Sequence, residues 1–208
     1  MSEVTNARIE YYFPHPFMRH VWTDCAELNE QLRERILAHQ EAQPGRGRSN
    51  IGGWHSELGL LEFCGDAGKA LVERLVEMAN QASGQVFTAY GRQPTPFTWT
   101  VQAWANVNRA GDFNRVHAHP GSTWSGTYYV HSGVAPGESE TTPLHLIDPC
   151  QGRAATFFPI TVPESVHVFP EPGLMILFPS YIPHMVYPHK GSLPRISVAF
   201  NLRKEPFP

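Results

Sequence analysis

The 208-residue chain has no excess of positive charge and no long apolar run, and each absence excludes a class of partner. Lys and Arg number 16 against 19 Asp and Glu, which gives a formal net charge of -3 at pH 7. No basic field is therefore available to attract nucleic acid or anionic lipid. No apolar segment is long enough to span a bilayer, and the amino terminus lacks the pattern of a signal peptide. We expect a cytoplasmic protein with neither a membrane nor a nucleic-acid partner.

Cysteine is scarce, and the motifs of several enzyme classes are missing. Cys25, Cys64 and Cys150 are odd in number, far apart and outside any Cys-x-x-Cys motif, which is typical of unpaired thiols in a reducing compartment. The chain also contains no glycine-rich phosphate loop, no Gly-x-Ser-x-Gly elbow and no supported Ser/His/Asp order. Hydrolase and nucleotide-binding functions therefore find no support.

Proline, glycine and aromatic residues are abundant, as in proteins built from many short strands joined by turns. There are 19 Pro, 17 Gly and 12% aromatic residues. The pattern predicts an α+β, mainly β protein, a single domain over 1–208 with helical support at about 23–83 and a β-barrel core at about 97–204. The barrel is expected to be a double-sheet jelly roll. The predicted elements are an opening strand within 9–21, helices at about 23–39 and 67–83, and strands at 98–108, 125–131, 144–148, 174–178 and 195–202.

Two histidines separated by one small residue form the first candidate site. If the segment 115–121 is a strand, His117 and His119 project from the same face and could hold one metal ion. The same spacing is also common in exposed loops, so the pair alone leaves both interpretations open. Further along, the turn after Phe178 delivers His184, another possible ligand.

The last predicted strand has one apolar face and one polar face. Arg195, Ser197 and Asn201 share the polar face, which must look either to bulk water or into the interior of the barrel. A barrel interior that received the three histidines and Arg195 would place a metal beside a guanidinium. Three ligands on one face of an octahedral ion leave positions for a bidentate acid and for dioxygen. The guanidinium could bind a carboxylate through two charge-assisted hydrogen bonds, with Ser197 adding a third.

Three segments resemble a known family. HAHPGSTWSGTYYV at 117–130, FPSYIPHMVYP at 178–188 and RISVAFN at 195–201 are similar to the bacterial 2-oxoglutarate and Fe(II)-dependent oxygenases, whose fold is the double-stranded β-helix. The resemblance implies an oxygenase that uses Fe(II), 2-oxoglutarate and O2 and releases succinate and CO2, with hydroxylation of an unidentified substrate as the expected outcome. It implies His117 and His184 as metal ligands and Arg195, assisted by Ser197, as the site of the distal carboxylate of 2-oxoglutarate. The expected wall residues of the co-substrate pocket are Tyr129, Gln102, Trp104 and Asn106.

The sequence departs from the usual pattern of that family at one ligand. Most members have Asp or Glu two residues after the first histidine, whereas this chain has His119. A neutral imidazole can fill that position, so we expect His119 to be the third ligand, with less negative charge at the metal. Asp148 is the less favoured alternative, because an Asp-Pro pair more often begins a turn.

Two other functions fit parts of the sequence. A cupin-like metalloenzyme would use the three histidines without 2-oxoglutarate and would have no need of Arg195. A non-catalytic jelly-roll module would instead bind a sugar or peptide in a groove lined by Trp99, Trp104 and Trp124. The substrate, either a small molecule or a protein or peptide, is expected to meet loops at about 44–54 and 132–142, where Arg46 and Arg48 could touch it or simply be solvated. The remaining histidines are expected to be structural, and a homodimer is possible.

Overall fold

The computed structural model describes residues 15–94, 97–138, 141–150 and 165–205. Within them, antiparallel strands form a six-stranded sheet in the order β1-β9-β6-β11-β4-β3 and a five-stranded sheet in the order β2-β5-β10-β7-β8. The elements are β1 Met18–Val21, α1 Ala26–Ala42, β2 Asn50–Ile51, β3 Trp54–His55, α2 Leu60–Ala89, β4 Trp99–Asn108, β5 Phe113–His117, β6 Trp124–His131, β7 Leu144–Ile147, β8 Ser165–Val168, β9 Leu174–Pro179, β10 His184–Val186 and β11 Arg195–Lys204.

Both helices pack against the six-stranded sheet through their apolar faces. Leu32 and Ile36 of α1 and Leu71 and Leu75 of α2 are fully buried in one cluster with residues of β4, β6, β9 and β11. Burial of each such side chain stabilises the fold by about 1.5–3 kcal/mol. The helices therefore cover one face of this sheet and leave its other face for the interior.

Helix α2 begins seven residues before the predicted start, and glycine explains the difference. Gly65 has φ 55 and ψ -127, a conformation that glycine tolerates and that interrupts the regular helix. The helical periodicity of the sequence is therefore clear only after this kink. Among the described residues, no helix is both long and apolar enough to cross a membrane.

The alternation in β4 and β11 divides their side chains as the sequence predicts. The two strands pair over their whole length, with Arg195 opposite Asn108 and Ser197 opposite Asn106. Their apolar residues, such as Val198 and Phe200, meet the helices. Their polar residues consequently face the space between the two sheets. The polar face of the last strand therefore looks into the interior of the barrel and not to bulk water.

The mainly β fold with two supporting helices is confirmed, and the sequence pattern missed only short strands. Strands β2, β3, β8 and β10 have two to four residues each, too few for a period of two to stand out. Of the predicted opening strand within 9–21, Met18–Val21 form β1, residues 15–17 are not in a strand, and residues 9–14 lie outside the described ranges. The assignment of 1–208 to one domain stays a prediction.

Candidate metal and co-substrate site

A cavity of about 670 Å³ lies between the two sheets. The six-stranded sheet contributes a polar wall from β4 and β11, and the five-stranded sheet contributes histidines from β5 and β10. Among the predicted site residues, those that line this cavity are His117, His119, His184, Arg195, Ser197, Gln102, Trp104 and Asn106.

The three predicted ligand histidines meet at one point of this cavity. Strand β10 pairs with β5 so that His184 lies directly opposite His117, while His119 follows the end of β5. The backbone N–H of His119 donates to the carbonyl of Ser180 at 2.9 Å, which anchors the segment after β5 beside β10. One candidate ligand nitrogen from each ring lies within 4.8 Å of the others. This separation is compatible with three imidazoles around one ion.

Backbone carbonyls fix the orientation of two of the three rings. The Nδ1 atom of His117 lies 2.7 Å from the carbonyl oxygen of Arg115, and that of His184 lies 2.9 Å from the carbonyl oxygen of Ile182. Because a carbonyl only accepts, each Nδ1 must carry the proton, and each Nε2 keeps its lone pair. This arrangement, with Nδ1–H donated to an outer oxygen, is the usual support of a metal-binding histidine.

Burial keeps these imidazoles neutral. Removal from water, together with the positive charge that His117 would carry, lowers the pKa of His184 to about 3 and that of His119 to about 4. Burial also lowers the pKa of His117. A metal binds the neutral form of histidine, so at neutral pH no proton has to leave before an ion can bind.

Arg195 places a buried positive charge in the same cavity as the three histidines. Its side chain is 3% exposed, one terminal nitrogen donates to the Tyr129 hydroxyl at 3.4 Å, and its Nε is buried without a hydrogen-bond partner among the described residues. No described carboxylate lies within ion-pair distance of it. A buried guanidinium without a counter-ion is costly, and an anionic ligand in the cavity would offset that cost. Fe(II) at the histidines and the carboxylate of 2-oxoglutarate at Arg195 therefore both fit the residues present.

Two predicted residues lie outside the cavity lining. Tyr129 is completely buried behind Arg195, so it supports the guanidinium and is not a wall residue. Asp148 follows the end of β7 and belongs to a different cluster, with His15 Nε2 3.8 Å from its carboxylate and Cys150 nearby. It does not line the cavity, and its role as an alternative ligand stays a prediction.

The predicted tryptophan groove of a binding module is also absent from the described structure. Trp104 lines the cavity, but Trp124 is buried in the core and donates to Ser83, and Trp99 packs against the same core and donates to Asn80. The period of two explains this separation for β4, because Trp99 and Trp104 occupy opposite faces of the strand.

His55 and Ser49 are among the cavity residues that the sequence did not predict. His55 is 8% exposed and stacks on Trp104 with ring centroids 5.5 Å apart, although its isolated position in the chain predicted a structural histidine. Ser49 places its hydroxyl oxygen 3.4 Å from Nε2 of His117. No periodic signal marks either residue, because β2 and β3 are only two residues long.

Solved structures with the same fold are oxygenases of the double-stranded β-helix type. A prolyl-4-hydroxylase from Pseudomonas putida is 18% identical, covers 92% of this chain and 94% of its own, and gives a TM-score of 0.62. A prolyl hydroxylase from Trichoplax adhaerens, in complex with a hypoxia inducible factor peptide fragment, is 14% identical over 90% and 83% of the two chains, with a TM-score of 0.65. HygX from Streptomyces hygroscopicus, with nickel and 2-oxoglutarate bound, is 12% identical over 91% and 82%, with a TM-score of 0.58.

The sequence itself supplies the family. Residues 102–201 match the family described as "Putative 2OG-Fe(II) oxygenase", a range that begins in β4 and ends in β11. No curated protein matches the chain. The matched segment belongs to the 2OG-Fe(II) oxygenase family. The protein is an enzyme of this class, which uses Fe(II), 2-oxoglutarate and O2.

Proposed function

We propose that the protein hydroxylates a substrate in the cavity between its two sheets, with release of succinate and CO2. His117, His119 and His184 would hold Fe(II), and Arg195 would bind the distal carboxylate of 2-oxoglutarate with Ser197 beside it. One observation carries the proposal: three neutral imidazoles converge in the same cavity as a buried guanidinium without a counter-ion. A cupin-like enzyme without 2-oxoglutarate would leave that guanidinium unexplained.

The residues of the chain would contribute binding, orientation and exclusion of water. When bound, Fe(II) and 2-oxoglutarate supply the oxidising chemistry. Backbone carbonyls hold the Nδ1–H groups of His117 and His184, so the Nε2 lone pairs of both rings would be available to Fe(II). The hydroxyl of Tyr129 steadies one edge of Arg195 and leaves the rest of the guanidinium for a carboxylate. The apolar rings of Trp104 and Phe178 limit the water that shares the cavity.

Metal content and product release test the proposal directly. We expect the purified protein to bind one Fe(II) per chain and to produce succinate from 2-oxoglutarate in the presence of O2, at a rate raised by the correct substrate. Chelator treatment should remove this activity, and Fe(II) should restore it. If the iron-loaded protein neither binds 2-oxoglutarate in anaerobic calorimetry nor forms succinate, the proposal fails.

The third ligand can be tested with two substitutions. His119→Asp would replace a neutral imidazole by a carboxylate, the group most of the family has there, and we expect Fe(II) affinity to be kept or increased because the site gains a negative charge. His119→Ala would remove a ligand, and we expect Fe(II) affinity to fall about tenfold or more. Equilibrium dialysis against Fe(II) measures both. Equal affinities in the alanine variant and the wild type would remove His119 from the ligand set.

The finer assignments of partner and location rest on indirect support and stay predictions. Cys25, Cys64 and Cys150 are unpaired, which agrees with a reducing compartment such as the cytoplasm. A homodimer and the choice between a small-molecule and a peptide substrate also stay predictions.

A further inference from the structure

Several arginines line the cavity, and none of its described lining residues is acidic. Three arginines that line it, Arg46, Arg48 and Arg115, are exposed, in contrast to the buried Arg195. Arg46 is neutralised by Glu57, with a nitrogen to oxygen distance of 3.1 Å. For the guanidinium groups of Arg48 and Arg115, no carboxylate of the described residues lies within ion-pair distance. The opening thus has two uncompensated positive charges in a chain whose net charge is -3.

Strand pairing brings both arginines close to the histidine triad. Asn50 of β2 lies opposite Asn114 of β5, and the backbone N–H of Arg115 donates to the carbonyl of Ser49 at 2.9 Å. The guanidinium of Arg115 reaches the carbonyl of Arg48 at 3.4 Å, so the two side chains belong to one corner of the opening.

The same corner contacts a proposed metal ligand. Ser49 Oγ lies 3.4 Å from Nε2 of His117, which places Arg48 one residue away from the site of chemistry. Arg115 precedes His117 by two residues on β5, and the register between β5 and β10 shifts between Asn114 and His117. Arg48 and Arg115 line the same cavity as the triad.

We propose that the substrate is a small organic acid or phosphate ester, and that Arg48 and Arg115 together bind its anionic group. The proposal rests on the proposed function and specifies the substrate for the same site. A pair of guanidinium groups can bind either carboxylate or phosphate oxygens through charge-assisted hydrogen bonds. The cavity of about 670 Å³ must also hold 2-oxoglutarate, and pockets of this size, about 300–1,000 Å³, serve small molecules. An anionic group fixed at the opening would direct the remainder of the substrate toward the triad and Trp104.

Calorimetric titration of paired probes can test this charge selection without turnover. The protein is loaded with Zn(II), saturated with 2-oxoglutarate so that Arg195 is occupied, and titrated with inorganic phosphate, glycerol phosphate against glycerol, and 3-phenylpropionate against 3-phenylpropanamide. We expect the anions to bind and their neutral counterparts not to bind. If glycerol phosphate binds more tightly than 3-phenylpropionate, the anionic group of the substrate is a phosphate ester. If 3-phenylpropionate binds more tightly, the anionic group is a carboxylate.

Substitutions assign the binding to the two arginines. The double variant R48Q/R115Q should weaken binding of the anionic probes about tenfold or more, because two charge-assisted contacts are lost. Arg46→Gln removes the same charge from the same corner but from an arginine already paired with Glu57, and it should change binding less than about threefold. Neutral probes that bind as well as the anions, or equal losses in both variants, would overturn the proposal.

The proposed function and the anion site formed by Arg48 and Arg115 can be disproved separately. If wild-type protein does not bind 2-oxoglutarate, the proposed function fails, and the phosphate titration is repeated in the Arg195→Met variant, where the deep anion site is gone. Phosphate binding that persists there and is lost on adding R48Q/R115Q would still support the anion site at the opening. Phosphate binding that is insensitive to Arg48 and Arg115 would refute it.

Discussion

Replacement of His184 by alanine is expected to lower Fe(II) affinity about 100-fold or more and to abolish succinate release. His184 is the most buried of the three histidines, lies opposite His117 in the sheet, and has its ring held by the Ile182 carbonyl. Its Nε2 lone pair is therefore available before an ion binds. Anaerobic equilibrium dialysis and a succinate assay measure the two losses.

The matched control is His145→Ala. His145 lies on β7, next to β10 in the same sheet, but it does not line the cavity. Its removal should leave Fe(II) affinity within about twofold of the wild type, since it contributes no ligand. An alanine at 184 that binds Fe(II) like the wild type, or a His145 variant with the same loss, would contradict the assignment of the site.

The same substitution should change the acid stability of the metal-free protein. Burial lowers the pKa of His184 from 6.5 to about 3, so as pH falls below 6.5 the unfolded chain takes up this proton while the folded chain does not. The wild type accordingly loses stability from this group as pH falls between those two values. The alanine variant lacks the group, so its melting temperature should fall less steeply between pH 7 and 5. A parallel decline in the two proteins would indicate that His184 is not buried as a neutral imidazole.

The sequence was most informative where long strands carried the site. In β4 and β11, ten residues of strict alternation made it possible to predict which side chains of Gln102, Trp104, Asn106, Arg195 and Ser197 share a face. Pairing of these two strands then formed the polar wall of the cavity. The period of two is a property of the extended backbone, so it predicts the face of each side chain without knowledge of tertiary contacts.

The sequence was least informative where the site depends on short segments or on strand neighbours. The strand carrying His117 ends at that residue, so the expected face shared by His117 and His119 does not bring them together. His119 instead reaches the triad through the loop that hydrogen-bonds to Ser180. Likewise, Tyr129 was expected in the cavity wall. It lies opposite Ser197 of β11, but it is completely buried and its hydroxyl accepts a hydrogen bond from Arg195, so it contacts the guanidinium without lining the cavity. The period of two predicts the face of a side chain and not its depth between two sheets.

Replacement of Arg195 by methionine is expected to separate co-substrate binding from folding. The guanidinium is the one described cation buried at the inner end of the polar wall, and two charge-assisted hydrogen bonds to a carboxylate would be lost with it. We expect 2-oxoglutarate affinity to fall about 100-fold or more, at about 1.5–3 kcal/mol for each bond, while Fe(II) affinity stays within about threefold. Anaerobic calorimetry with 2-oxoglutarate and dialysis with Fe(II) provide the two values.

The Arg195→Met variant should bind 2-oxoglutarate more weakly, but its stability should stay the same or increase. Without ligand, the buried guanidinium has a tyrosine hydroxyl as its described side-chain partner and an Nε with none, so an apolar side chain of similar length should leave the melting temperature unchanged or raise it. Arg203→Met, on the exposed part of the same strand, is the control and should affect neither property. Arg195→Lys keeps the charge but lacks the planar pair of donors, so its 2-oxoglutarate affinity should be intermediate. Loss of stability together with unchanged 2-oxoglutarate affinity in the methionine variant would make Arg195 a structural residue. If the methionine variant is instead at least as stable as the wild type and binds 2-oxoglutarate more weakly, the charge of Arg195 destabilises the folded chain and serves to bind the ligand.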